Sequence, residues 1–184
     1  MTATTLDPKT ALVVVDLQKG IVGLPTAPHP AADAVANSAT LADAFRAKGL
    51  PVVLVRVTGG APGRNEGPAQ SGQPAADWAD IVLELGPREG DIVVTKHTWG
   101  AFHGTDLDLQ LRRLGVTQVV VTGIATSIGV ESTARSAHEY GYHVTVATDA
   151  ITGMDADTHR NSVEKIFPKL GETDTTEAIV KLLG

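Results

Sequence analysis

Cysteine is absent from all 184 residues, which removes disulfides, thiolate metal ligands and a thiol nucleophile together. Positive charge is scarce as well. Fifteen Lys and Arg face twenty-one Asp and Glu, a formal charge of −6, and no basic stripe runs along the chain to track phosphates. Nucleic acid is therefore not an expected partner. No apolar run exceeds the length of a strand, and the opening MTATTLDPKT has neither the basic head nor the apolar core of a secretory signal. No membrane association is expected, and a cytoplasmic location is. The six histidines form no helical H-x-x-x-H pair, so no metal is expected. Thr58-Gly-Gly-Ala-Pro-Gly63 has neither the G-x-G-x-x-G spacing nor a following helix, which leaves no nucleotide loop and no expected cofactor.

What is present is ordinary for a globular chain: 42% hydrophobic and 20% charged residues, in a length that suits one core. One domain over residues 1–184 is expected. Ala11–Val15, an amphipathic stretch near Ala31–Lys48 and Val52–Val57 give the strand, helix, strand rhythm of a parallel α/β sheet. Gly49-Leu50-Pro51 is a stop for that helix. Thr58 to Pro74 is rich in Gly and Pro and too long for a simple connector, so it reads as a surface loop with the length of a lid. A short helix is expected within Trp78–Leu85, a strand over Asp91–Thr95, and a helix starting near Thr105, capped with Asp108 three residues on. Gln118–Thr122 is a further strand, leading through Gly123–Gly129 into a helix over Val130–Tyr140 closed by Gly141. His143–Thr148 is a fifth strand, Asp155–Lys169 a helix, and Asp174-Thr-Thr-Glu177 a capping box for the last helix, ending at Leu183.

Right-handed crossovers put all the strand ends on one edge, where ligands of open α/β sheets sit. Asp16, Arg56, Lys96 and the Gly123–Gly129 turn therefore converge. An acid at the end of a buried strand is either a site carboxylate or a turn residue bonding its own backbone. A Lys in that position either serves the site or snorkels to solvent. Together they are more informative, because each compensates the charge the other carries into a crevice. The pairing is expected to lower the pKa of Asp16, which suits a base better than an acid. The turn Gly123-Ile-Ala-Thr-Ser-Ile-Gly129 delivers the chain onto a helix N-terminus, where free N–H groups favour an anion or a developing oxyanion; equally, its glycines serve a tight turn. Thr126 and Ser127 carry hydroxyls, but neither stands in G-x-S-x-G, and backbone or capping bonds are their expected use. Trp99 and Phe102, just past Lys96, are either core or pocket wall.

ALVVVDLQKG with Asp16, VTKHTWGAFHGTDLDLQLRRLG with Lys96, and VVVTGIATSIGVESTARSAHEYGYHVTVATDA around Gly129 resemble, in that order, the isochorismatase-like hydrolase family, also called the cysteine hydrolase family. The resemblance runs from about residue 10 to the C-terminus. It implies a three-layer α/β/α fold with a mostly parallel central sheet of about six strands. In most of the family an Asp, a Lys and a Cys act together, the Cys attacking a carbonyl carbon beside an oxyanion hole shaped by a cis peptide. Asp16 and Lys96 match the first two, the Cys position falls on Gly129, and the cis bond falls between Ile124 and Ala125. Glycine cannot form an acyl-thioester, so the chain is similar to the branch without that Cys. The nicotinamidase branch's metal-binding Asp and His cluster is missing too. Isochorismatases proper also lack the Cys and hydrolyse a vinyl ether, with the Asp as proton donor and water attacking.

The resemblance thus implies cofactor-free hydrolysis at an enol ether or comparable bond of a small anionic metabolite. Asp16 would manage the proton and Lys96 would hold or neutralise a carboxylate, while Gly129 would leave room for a water or a bulkier substrate. Ile124, Ala125, Ser127 and Ile128 of the turn, with Arg56, Trp99 and Phe102, are the residues expected to bind substrate or oxyanion. The alternatives are amide or ester hydrolysis by water that Asp16 activates as a base, and a binding or scaffold protein without catalysis. Family members are usually dimers or larger, which implies a homo-oligomer, a dimer or tetramer paired through its last helices.

Overall fold

Thr10–Val15 (β1) is buried at every position, and a run with no polar face belongs to a strand covered on both sides. The computed structural model describes residues 2–66 and 74–184. After β1 come α1 (Lys19–Val22), α2 (Ala31–Ala47), β2 (Val52–Val57), β3 (Ile92–Lys96) and α3 (Leu107–Arg113). They are followed by β4 (Gln118–Ile124), α4 (Glu131–Glu139), β5 (His143–Thr152), α5 (Ala156–Asn161), α6 (Phe167–Leu170), β6 (Glu172–Asp174) and α7 (Thr176–Leu183). Among the described residues these strands form one sheet in the order β3-β2-β1-β4-β5-β6, with every neighbouring pair parallel.

Alternation along each strand divides the core between the two faces. Ala11, Val13 and Val15 pack with Leu107 and Leu111 of α3, Ala134 of α4 and Phe167 of α6. Leu12 and Val14 face the other way, onto Val35, Leu41 and Phe45 of α2 and Ile179 of α7. The result is the three-layer α/β/α arrangement that the resemblance implied.

β1 and β4 lie side by side while the chain winds outward from them in opposite directions, and at such a switch point the connections part and leave a crevice at the carboxyl ends. Gly123 makes the close approach possible. Its φ is +121°, and a Cβ there would fall 2.0 Å from the Val15 carbonyl oxygen.

The departures from the sequence reading have local causes. The helix expected over Asp155–Lys169 is α5, a π-helical turn at Ser162–Ile166 and then α6, with Pro168 in the first turn of α6, where its missing N–H interrupts the helical ladder. The helix expected from Val130 is entered through another π-helical turn, Thr126–Val130. Only Leu83–Leu85 of the stretch from Trp78 forms a helical turn. Thr105 does not begin α3: its hydroxyl donates to the Ala101 carbonyl at 2.6 Å, and Asp106 precedes the helix. The last helix is capped by Thr175, one residue later than expected, its hydroxyl accepting from Ala178 N–H at 3.3 Å. β6 was not foreseen as a strand. The Thr58–Pro74 loop lies partly outside the described residues.

Candidate active site

Asp16 ends β1 with its N–H still in the ladder, donating to the Val55 carbonyl at 2.9 Å. Its φ of +54° makes it the one non-glycine residue with positive φ among the described residues. Such a conformation costs of order 1 kcal/mol or more and persists where the surroundings hold it in place. Lys96, the last residue of β3, reaches across the end of β2, and its Nζ donates to Asp16 Oδ2 at 2.7 Å and to the Thr98 carbonyl at 3.0 Å. The two residues are 6% and 2% exposed. The pair foreseen from sequence is therefore in direct contact.

The electrostatics differ from expectation. The Lys96 charge and hydrogen bond pull the Asp16 carboxyl down, but burial outweighs them and pushes it up from 3.8 to about 6. The second oxygen, Oδ1, is buried and has no hydrogen-bond partner in the structure. A carboxyl with one oxygen held by an ammonium and the other buried without a partner is poised to exchange a proton near neutral pH.

Asp16 and Lys96 border a cavity of about 330 Å³ at the switch point, within the range of small-molecule sites. Ile124, Ala125, Ile128, Gly129 and Trp99 border it too. The Ile124–Ala125 peptide is cis, where the resemblance placed it. Ala125 also organises the turn, its carbonyl accepting from Ile128 N–H at 3.1 Å and Val130 N–H at 3.2 Å. Those two donors are thereby used within the protein, so the Ile128 N–H is not the open oxyanion donor that was expected. Gly129 is tighter than expected as well. A Cβ there would lie 3.1 Å from Asp16 Oδ2 and from Val15 Cγ1, so the glycine lets the turn close against the acid where both border the cavity.

Three expected residues do not border the cavity. Arg56 shares the strand face of Leu54, away from Lys96, and its Nε donates to Thr95 Oγ1 at 3.0 Å, because alternation sends neighbouring side chains to opposite faces. Phe102 is 5% exposed and packs beside Tyr140 and Tyr142, with ring centroids 5.4 and 6.0 Å away. Ser127 follows the turn but does not line the cavity. The Thr126 hydroxyl is not used for the backbone or capping bond expected of it but pairs with His159 Nδ1 at 2.8 Å.

Other neighbours of the site had no sequence signal. Trp78 and Met154 border the cavity from distant loops. Trp78 arrives there because 78–82 runs antiparallel to 17–20, with Gly20 N–H donating to the Trp78 carbonyl at 2.9 Å and Val82 N–H to that of Leu17 at 3.1 Å. Gln18, fully buried, braces this crossing: its Oε1 accepts from Val57 N–H at 2.8 Å and its Nε2 donates to the Val57 carbonyl at 3.0 Å. A polar residue two positions after the strand acid was the available hint. Among the described residues no group of three or more His, Asp or Glu gathers as a metal cage.

The Isochorismatase domain matches residues 10–178. The chain belongs to the isochorismatase family. Over 180 residues it is 45% identical to the uncharacterized isochorismatase family protein YwoC of Bacillus subtilis strain 168, covering 94% of this chain and 93% of that one. The structure of an isochorismatase family protein from Burkholderia thailandensis superposes with a TM-score of 0.93 at 45% identity, covering 97% of both chains. The ureidoacrylate amidohydrolase RutB of Agrobacterium fabrum strain C58 is 33% identical over 198 residues, covering 89% of this chain and 86% of RutB. The chain is thus a member of a hydrolase family whose relatives include amidohydrolases. No helix among the described residues is long and apolar enough to cross a membrane.

Proposed function

We propose that this family member hydrolyses an enol-ether bond of a small carboxylate substrate, without cofactor and without a covalent thiol intermediate. The observation that carries the reading is Asp16: Oδ2 is held by Lys96, Oδ1 is buried and unpartnered, and burial pushes the carboxyl up to about 6. Protonated Asp16 gives its proton to the terminal carbon of the enol ether, and the cation that forms on the ether-bearing carbon takes up water. The proton lost by that water returns to Asp16, and the hemiketal collapses to a keto acid and an alcohol. The net reaction consumes one water. Lys96 steadies the carboxylate that Asp16 becomes after donation and, with its remaining N–H, meets the substrate carboxylate.

Isochorismate and 2-phenoxyacrylate both release pyruvate on such hydrolysis, which makes pyruvate the readout. Wild type is expected to release it, with Asp16→Asn and Lys96→Ala reduced at least a hundredfold, in line with loss of general acid catalysis. An acid must be protonated to act, so kcat/KM is expected to fall as pH rises through about 6. Equal, slow release by wild type and Asp16→Asn would sink the proposal.

A second reading, amide hydrolysis with Asp16 as base toward water, has the RutB likeness in its favour. A base must be ionised, so activity on an amide panel would then rise with pH through the same value, the opposite slope.

A further inference from the structure

Both tryptophans of the chain, Trp78 and Trp99, border the cavity that holds Asp16 and Lys96. Trp78 is seated firmly. A Cβ on Gly20 would fall 2.0 Å from its Cδ1 and Nε1, so the indole occupies the space that only a glycine leaves. The chain beside it is tied down by Lys19, whose Nζ donates to Asp77 and Asp80 at 3.0 and 3.3 Å. Trp99 is 66% exposed, and Ile128 and Met154, which also border the cavity, are 38% and 42% exposed. Large apolar surface gathered beside a cavity, two indoles included, is the setting for an apolar or flat ligand.

Charge narrows the ligand further. Among the described residues bordering the cavity Lys96 is the single cation and Asp16 the single anion. Arg56 is turned to the other face of the sheet, and residues 67–73, outside the described part, contain no Lys or Arg. The lining is therefore formally neutral with Asp16 ionised and carries one positive charge with Asp16 protonated. It balances one carboxylate; a second would find no further cation among the described residues of the lining.

We propose that this cavity selects a flat, conjugated molecule bearing one carboxylate and no second anionic group, held against an indole face, with Trp99 as its specificity-determining residue. The selectivity belongs to the site of the hydrolysis proposed above and rests on that reading for the bond that breaks. Binding, however, is measured without turnover, so the two proposals fail separately.

Because both tryptophans border the cavity, intrinsic fluorescence reports its occupancy. Titration with benzoate (flat, one carboxylate), cyclohexanecarboxylate (puckered, one carboxylate) and isophthalate (flat, two carboxylates) separates shape from charge. Benzoate is expected to quench saturably, with a Kd about tenfold below that of each of the others, the size of one aromatic contact or one unpaired carboxylate. Trp99→Leu, at an exposed position that tolerates replacement, is expected to remove the preference for benzoate while leaving the Kd for cyclohexanecarboxylate within twofold, read through Trp78. Among substrates, 2-phenoxyacrylate is expected to exceed isochorismate in kcat/KM. Equal affinity for benzoate and cyclohexanecarboxylate, affinity for isophthalate as high as for benzoate, or no saturable quenching by benzoate would each overturn the proposal. Selective benzoate binding without pyruvate release would leave it standing and remove the enol-ether chemistry alone.

Discussion

At the scale of single residues, the pairing of Asp16 with Lys96 was legible because both are charged residues at the ends of apolar strand runs. Its protonation balance was not, since that depends on how much water the folded neighbours exclude. Proximity of a cation alone argues for a depressed pKa; burial reverses the sign. Gly129 teaches the same point in steric form. Its atoms are next to Asp16 and Val15, and Val15 is fixed in a central strand with no room to give way. Gly129→Ala is therefore expected to lower stability by about 1–3 kcal/mol, as overpacking of a filled site does, measured by urea unfolding. Stability equal to wild type would show that the turn yields and that the acid is not wedged by it.

At the scale of elements, β1 to β4 and the long α2 were readable because their apolar periods are clean, and Val52–Val57 was bounded to the residue, whereas β5, expected over His143–Thr148, runs on to Thr152. β6 escaped because three half-buried residues carry no period; its pairing with β5 creates it. The two π-helical turns escaped as well, since a helix with one wide turn has nearly the same apolar spacing as one without. The crossing of 17–20 with 78–82 was beyond reach too, being a tertiary contact between a strand exit and a distant loop. Gln18 is its brace. Gln18→Leu leaves the Val57 N–H without its acceptor and is expected to cost about 1–3 kcal/mol in urea unfolding. A cost below about 0.5 kcal/mol would mean that the crossing is held by its backbone bonds instead.

At the scale of the whole molecule, two core layers lie on opposite faces of one sheet, and the central strands contribute to both. A chain so coupled is proposed to unfold as one domain, and one transition shared by far-ultraviolet circular dichroism and tryptophan fluorescence is expected on urea titration. Two separated transitions would divide it. What the order of residues determined by itself was local: where most of the strands and helices lie, and that an acid and an amine close two of the strands, because backbone propensity and apolar period act over a few neighbours. The tertiary structure decided which side chains meet. It turned Arg56 and Phe102 away from the cavity, brought Trp78 into it and raised the carboxyl of Asp16. Side-chain direction, close packing and exclusion of water are properties of neighbours in space, and those neighbours come from distant parts of the chain.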